Sequence, residues 1–207
     1  MSEMTQALLS SAYFGPVQWY QKLHRYDRCF IERYDNYMKQ TYRNRCVIAT
    51  TAGPQTLTVP IERYEGRKCL MRDIRISDHG SWRHLHWNAL VSSYGESPFF
   101  DYYADDIRPF FERRWDFLFD FNLEITHTIC SLLDIQPTIK LTDDYLRADA
   151  IGADDFRDAI RPKHPLPDES FEPRPYYQVY AQKNGFLSNL SVLDLLFNEG
   201  PEGIFLL

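Results

Sequence analysis

The amino-terminal part of the chain contains the pattern that most narrows the fold: a strand, a tight turn, a helix and a second strand. Residues 7–14 form a short apolar run that ends at Gly15-Pro16. Proline suits the first turn of a helix because its missing N–H is not needed there, and large side chains then recur at helical spacing over residues 17–24. A second short strand follows at residues 29–31. This order predicts a βαβ unit with parallel strands and a right-handed connection.

Two β-branched runs follow this unit. Residues 45–50 (RCVIAT) and 56–61 (TLTVPI) flank Gly53-Pro54, a dipeptide that is typical of a turn. Residues 71–76 (MRDIRI) alternate in polarity and also look like a strand. Together with the βαβ unit, these runs predict an α/β fold with a parallel or mixed sheet.

The pattern becomes helical at about residue 81 and stays helical and rich in aromatic residues to about residue 133. Ser97-Pro98 resembles a helix start, with the hydroxyl as a cap and proline at the first helical position. We expect breaks in the helical half near Pro109 and Asp116.

The last third of the chain is less regular. Residues 142–175 are acidic and contain five prolines, so we expect an irregular excursion or long loop there. Ser191 and Asp194 then form the sequence pattern of a capping box, and Gly200-Pro201 should end the helix that follows. The length suits one α/β domain, or one domain with an appendage, and we expect a single domain over residues 1–207.

Composition limits the function. A chain of 207 residues with 44% hydrophobic and 25% charged residues is typical of a globular protein with a sizeable core. A net charge of −6 argues against a nucleic-acid-binding surface, although it allows a local basic pocket. The amino-terminal apolar run is too short and polar for a signal peptide or a membrane span, so we expect a cytoplasmic protein. The four cysteines include no CxxC pair, so we expect free thiols and no metal, and the sequence leaves the cofactor unknown.

The eight residues KQTYRNRC, which begin at Lys39, concentrate positive charge in this acidic chain; we call them the basic segment. On an extended backbone Arg43 and Arg45 point the same way, and a shared phosphate or carboxylate would relieve their repulsion through paired hydrogen bonds. With Lys39 and Asn44 they would form an anion-binding site. The competing interpretation is a solvated strand edge, whose charges protect against aggregation. Internal acids such as Asp35 or Glu32 are the competing partners of the arginines.

The first strand-to-helix junction is a second candidate for anion binding. A helix start presents free N–H groups and the positive end of the helix dipole, and Gly15 permits close approach of the backbone to a ligand. Pro16 removes one donor, so a plain structural turn is the alternative. Because ligands in open α/β sheets bind beyond the carboxyl ends of the strands, we expect the pocket at this junction, with the basic segment folded over it.

Three histidines occur between residues 79 and 86. If this region is helical, His84 and His86 lie about 200° apart and cannot ligate one metal together. His86 is our candidate for acid–base chemistry in the pocket, and a hydrogen-bonded structural histidine is the alternative.

Seven short motifs, each occurring once, are spread over most of the chain: YFGP (13–16), KQTYRNRC (39–46), GPQTLTVPI (53–61), DIRIS (73–77), WRHLHW (82–87), SSYGESPFFDYY (92–103) and GFLSNLSVLDLLFNEGP (185–201). In this order they resemble the WbqC-like family of bacterial proteins. The YRNR core and the carboxyl-terminal motif are the most specific, and residues 142–175 match least. The positions that match the family are Arg43, Asn44, Arg45, His86, Asn189, Asp194 and Asn198.

The resemblance implies a role in the synthesis of O-antigen or other surface polysaccharides, and aminoacyl (glycine) transfer has been suggested for the family. It implies a small anionic substrate, either a nucleotide- or lipid-linked sugar or an activated acyl donor. A diphosphate would suit Lys39, Arg43 and Arg45, with Asn44, Gly15 and Asn189 as further substrate-binding residues.

Three hypotheses follow. In a group transferase, His86 would deprotonate an acceptor amine or hydroxyl while Arg43 and Arg45 hold the anionic group. The alternatives are a non-catalytic ligand-binding or assembly protein of the same pathway, and a nucleotidyltransferase-like enzyme suggested by fold-level analogy. The sequence leaves open whether the chain is an enzyme and whether it forms a homo-oligomer.

Overall fold

The computed structural model describes residues 4–207 and contains a four-stranded parallel sheet and an antiparallel hairpin. The strands are β1 (Gln6–Ser10), β2 (Arg28–Glu32), β3 (Arg45–Thr50), β4 (Gly53–Thr58), β5 (Ile139–Leu141) and β6 (Asp154–Asp155). The order in the sheet is β5-β2-β1-β6, and all three pairings are parallel. Helix α1 (Val17–Arg25) connects β1 to β2, so the predicted βαβ opening is confirmed.

The central strands are apolar because both faces of the sheet are covered. Ala7, Leu8 and Leu9 of β1 are fully buried, as expected for a parallel sheet, whose strands are covered on both sides. Helix α1 buries Trp19 and Leu23 in the same core. The helical spacing of these residues therefore reflects packing against the sheet.

Strands β3 and β4 form the predicted hairpin, but β4 spans residues 53–58 rather than 56–61, and the turn lies earlier than expected. Gly53 pairs with Thr50 and Pro54 with Ala49, so the Gly-Pro dipeptide begins β4 and Thr51-Ala52 makes the turn. The predicted strand at residues 71–76 is wrong. Residues 71–73 form a 3₁₀ turn, in which the Asp73 N–H donates to the Leu70 carbonyl at 3.0 Å. Of residues 71–76, only Arg75 and Ile76 make β-bridges, to Phe117 and Ile61, and these bridges are isolated.

The predicted helical half is confirmed, with breaks at the expected places. It contains α2 (Trp82–Tyr94), α3 (Phe100–Ile107), α4 (Pro109–Glu112) and α5 (Leu118–Leu132). The predicted cap at Ser97 is wrong, since α3 begins only at Phe100 and the buried Ser97 hydroxyl has no protein partner. The Phe99 N–H instead donates to the Phe197 carbonyl at 3.0 Å, a tertiary contact that sets where the helix begins.

Residues 142–175 are mostly irregular but contribute to the sheet. They contain α6 (Ala148–Ile151) and strand β6, which places Asp154 opposite Ala7 of β1. The chain continues through α7 (Ala181–Asn184) and α8 (Val192–Glu199) to a final 3₁₀ stretch (Gly200–Leu206).

Helix α8 is a core element. The Ser191 hydroxyl caps it by accepting from the Leu193 N–H at 3.3 Å. Leu193, Leu196 and Phe197 are fully buried, and Gly200 ends the α-helix with a positive φ of 59°. No helix within residues 4–207 is long and apolar enough to cross a membrane.

Candidate functional site

The order of the parallel strands defines one crevice. From β1 the chain moves outward to β2 and then to β5 on one side, and it crosses to β6 on the other side. The connections therefore reverse direction between β1 and β6. Ligands of open α/β sheets bind beyond the carboxyl ends of the strands at such a point.

The basic segment lies over this end of the sheet. The Tyr13 N–H, just beyond β1, donates to the Tyr42 carbonyl at 2.8 Å. The Asn122 amide of α5 donates to the Arg43 carbonyl at 2.8 Å and to the Ser11 hydroxyl at 2.7 Å. The segment is thus tied to both the sheet edge and the helical half.

Arg43 points into the protein rather than into an open pocket. Its guanidinium pairs with the Asp35 carboxylate and lies 3.4 Å from the Thr41 hydroxyl, and both charged residues are more than nine-tenths buried. Burial raises the pKa of Asp35 above its ordinary value, although the charge of Arg43 acts in the opposite direction. One of the internal acids named as competitors, Asp35, is therefore the partner of Arg43 in this structure.

The cavity beside Arg43 is small. It lies between residues 10–12 at the end of β1, residues 41–43 of the basic segment, and three apolar side chains, Trp19, Phe156 and Ile160. Its volume of about 10 Å³ leaves room for roughly one water molecule. This cavity is too small for a substrate, so a substrate could contact Arg43 only if the residues that line the cavity moved apart.

Asn44 and Arg45 lie on the hairpin side of the segment. The buried Asn44 amide donates to the Val59 carbonyl at 2.9 Å, which joins the segment to the end of β4. Arg45 is partly exposed and makes no salt bridge within residues 4–207. Burial raises the pKa of Tyr37 to about 12, and the charge of Arg45 nearby opposes this shift. Arg45 does not line the cavity of Arg43, so the structure separates the two arginines.

Lys39 lies in a different place, an open groove of about 630 Å³ that we call the basic groove. Its lining comprises Lys39, Ile61, Glu62, Arg63, Tyr64, Gly66 and Arg67. Of the described residues, no carboxylate forms a salt bridge with any of the three cations. The Tyr64 ring packs edge-on against Tyr37, with centroids 6.4 Å apart.

Backbone pairing brings the groove together. The Tyr37 N–H donates to the Cys69 carbonyl at 2.8 Å, and Asn36 bridges to Leu70, so the loop before residue 69 returns to the start of the basic segment. Arg63 and Arg67 were missed by the sequence analysis because they are more than twenty residues from Lys39. The available signal was the local excess of basic residues in residues 63–68.

His86 lies in the aromatic core. Its Nδ1 is 2.9 Å from the Tyr13 hydroxyl, and its ring is 5.2 Å from that of Trp82. Burial lowers its pKa from 6.5 to about 4, and a hydrogen bond to the Thr58 backbone acts in the opposite direction. The imidazole is therefore neutral at pH 7, and it lines neither the cavity beside Arg43 nor the basic groove.

Gly15 and Asn189 both lie near the start of α1. The Asn189 side chain accepts from the Gln18 N–H at 3.0 Å, and the Val17 N–H donates to the Leu190 carbonyl at 3.0 Å. These first-turn donors therefore already have protein acceptors. A Cβ at Gly15 would lie 2.9 Å from that of Ala12, so glycine is required by packing.

Asp194 and Asn198 belong to the core around α8. The Asp194 carboxylate accepts from the Tyr94 hydroxyl at 2.9 Å, the Tyr176 hydroxyl at 2.7 Å and the Gln178 amide at 2.8 Å. The Asn198 amide donates to the Asp194 carbonyl at 2.8 Å. Burial raises the pKa of Asp194. Residues 4–207 contain no group of three or more histidine, cysteine or acidic side chains placed to hold a metal ion.

Comparison with known proteins identifies relatives. Residues 11–159 match the WbqC-like protein family. The chain is also similar to the uncharacterized protein Rv1507c of Mycobacterium tuberculosis (strain ATCC 25618 / H37Rv), with 28% identity over 191 residues that cover 80% of this chain and 81% of that protein. No solved structure matches the chain. The family match contains the basic segment and the basic groove; it begins directly after β1 and ends before α7 and α8.

Proposed function

The chain belongs to the WbqC-like protein family, and we propose that it is a group transferase that binds a phosphate-bearing substrate in the basic groove. The pathway we propose is the synthesis of bacterial O-antigen or another surface polysaccharide. The observation that carries the proposal is that Lys39, Arg63 and Arg67 line one open groove and lack carboxylate partners in the described part of the chain.

The electrostatics favour an anion with more than one negative charge. Three cations and one carboxylate, that of Glu62, line the groove, which leaves it positive in a chain of net charge −6. A phosphate oxygen accepts strong charge-assisted hydrogen bonds from arginine and lysine, each contributing about 1.5–3 kcal/mol. A diphosphate matches this excess of positive charge better than a single carboxylate does.

The size of the groove fits a substrate with a further group attached to the phosphate. Its volume of about 630 Å³ lies within the range of about 300–1,000 Å³ that is usual for small-molecule sites. Nucleotide- or lipid-linked sugars and phosphate-activated acyl donors are substrates of this kind. Tyr64 adds a planar aromatic wall to the groove.

The transfer step needs a base for the acceptor. The acceptor amine or hydroxyl loses a proton, attacks the carbon that bears the phosphate leaving group, and the leaving group departs with its bonding electrons and is stabilised by the cations. Glu62 is a carboxylate that lines the basic groove, whereas His86 is buried away from it. We therefore propose Glu62 for the role for which the sequence had suggested His86.

The second candidate function is a non-catalytic ligand-binding or assembly protein of the same pathway. The observation that favours it is the position of His86, whose hydrogen bonds to Tyr13 and Thr58 are those of a structural residue. The nucleotidyltransferase hypothesis loses support because the first-turn donors of α1 bond to residues 189 and 190.

Calorimetric titration with pyrophosphate and with a nucleoside diphosphate tests the proposal. The double variant R63A/R67A should bind both ligands more weakly by about tenfold or more, because two charge-assisted contacts are lost. The control R113A/R147A removes the same charge from exposed arginines outside the groove and should bind as the natural chain does. Equal weakening in both variants, or no binding by the natural chain, would refute the proposal.

A second measurement separates the two candidates. A bound nucleotide sugar is incubated with amine and hydroxyl acceptors, and the products are identified by mass spectrometry. Loss of turnover with retained binding in Glu62→Gln would support the transferase. Unchanged ligand in the natural chain, under conditions where it binds, would favour the binding protein.

A further inference from the structure

A second cleft lies away from the basic groove, where the β3–β4 turn, α2 and the residue before α7 meet. Its volume is about 410 Å³, within the usual range for small-ligand sites of about 300–1,000 Å³. It includes Thr50 and Gln55 of the hairpin, Asn88 and Ser92 of α2, and Tyr180. We call it the neutral cleft, because none of the side chains that line it is charged.

The lining has an unusual chemical composition. A quarter of the residues in the chain are charged, yet this cleft is lined mainly by hydroxyl and amide side chains with one aromatic ring. Hydroxyls and amides can each donate and accept hydrogen bonds. A ligand matched to them carries many hydroxyl groups and no net charge.

Hydrogen bonds fix the shape of the cleft. The Asn184 amide of α7 donates to the Thr50 carbonyl at 2.9 Å, and the Tyr180 hydroxyl donates to the Ser92 carbonyl at 3.3 Å. The three elements that form the walls are therefore cross-linked to one another. A site held in this way loses little conformational entropy when a ligand binds.

The neutral cleft continues along α2 toward an aromatic pocket. The Asn88 amide lies 2.9 Å from the His84 Nε2, and His84 lines a pocket of about 330 Å³ together with Trp87. The arginines of that pocket are paired with acids: Arg83 with Asp78 at 2.6 Å, and Arg108 with Glu112 at 2.7 Å. This second part of the surface therefore also lacks excess charge.

We propose that the neutral cleft binds an uncharged oligosaccharide, with one sugar residue beside Tyr180 and the chain extending along α2 toward Trp87. The hydroxyl groups of the sugar bond to Gln55, Asn88 and Ser92, and its C–H faces pack on the aromatic rings. A protein partner is disfavoured because interface cores are enriched in aromatic residues, methionine and arginine and depleted in serine, whereas this lining contains two serines and a single aromatic ring. The inference is independent of the proposed transfer reaction and holds equally for a binding protein.

The test uses three uncharged tetrasaccharides, maltotetraose, cellotetraose and the N-acetylglucosamine tetramer. Binding is measured by saturation-transfer NMR and by shifts of the tryptophan indole N–H signals. At least one tetrasaccharide should bind saturably and shift the Trp87 signal. The double variant Q55A/N88A should weaken that binding by about tenfold or more, because two side chains that contact the ligand are lost.

Val91→Ala is the matched control, since Val91 is an exposed residue of α2 that lines neither the neutral cleft nor the aromatic pocket. It should leave tetrasaccharide affinity unchanged, and Q55A/N88A should still bind pyrophosphate in the basic groove. The inference is overturned if no tetrasaccharide binds saturably, or if Q55A/N88A binds as tightly as the control. The result for pyrophosphate separates this outcome from a failure of the proposed function.

Discussion

The buried imidazole of His86 should make the stability of the protein depend on pH in a way that a single variant can isolate. Its pKa is lowered by burial from 6.5 to about 4. The unfolded chain therefore takes up a proton on this residue before the folded chain does. Stability from this source is fully present above pH 6.5 and is lost as the pH falls toward 4.

The expected magnitude follows from the two pKa values. A difference of one pKa unit corresponds to about 1.4 kcal/mol, so the fall from 6.5 to about 4 corresponds to about 3 kcal/mol in total. About 2 kcal/mol of this should already be lost at a pH of about 5. That is a large share of a typical folding free energy of about 5–15 kcal/mol.

The assay is urea unfolding of the natural chain and of His86→Gln across this pH range. Acidic side chains contribute to the pH dependence of both proteins, so the difference between them isolates the imidazole. His84→Gln, at an exposed position two residues away, is the control and should keep the full pH dependence. An NMR titration that gave His86 a pKa near 6.5, or equal pH slopes for the natural chain and His86→Gln, would refute the reasoning.

Two further predictions concern buried structure. Arg43→Met should lower the free energy of unfolding in urea by about 3 kcal/mol or more, because it leaves Asp35 buried without its partner; an unchanged urea midpoint would contradict this. Truncation after residue 190 removes the buried Leu193, Leu196 and Phe197. It should lower the free energy of unfolding by several kcal/mol, comparable with the loss of roughly two or three large core side chains. A truncated chain that still melts cooperatively at the original temperature would show that α8 is not part of the core.

The opening βαβ unit could be predicted because its signals are local. The turn at Gly15-Pro16 separates an apolar strand from a helix whose apolar residues have a clear period. The same holds for the helical half and for the existence of the hairpin, although not for the position of its turn. In each case the pattern extends over enough residues to exclude the alternative element.

Strand β6 could not be predicted because nothing local favours it. It consists of Asp154 and Asp155, and aspartate is depleted in strands. The strand exists through its parallel pairing with Ala7 and Leu8 of β1, about 150 residues earlier in the chain. Such an edge strand depends on tertiary position and leaves no pattern in the sequence.

Only part of the basic groove could be predicted from the sequence, because residues from two separate segments form it. Lys39 could be named from its segment, but its neighbours Arg63 and Arg67 come from another loop. The expectation that Arg43 and Arg45 point the same way assumed an extended segment, whereas β3 begins only at Arg45 and residues 39–44 are turns and irregular backbone. Alternation of side chains does not extend into that part.

This division of the basic segment predicts where an anion binds first. A ligand that reaches Arg43 must replace Asp35, a carboxylate that is already buried and paired. In the basic groove Lys39, Arg63 and Arg67 give up no salt bridge to the described residues, so bonds to phosphate are gained there without that loss. Asp35→Asn should therefore leave pyrophosphate affinity unchanged, and rising salt should weaken binding because the groove is open to solvent. If Asp35→Asn strengthens binding in calorimetry, Arg43 holds the anion and the groove is not the primary site.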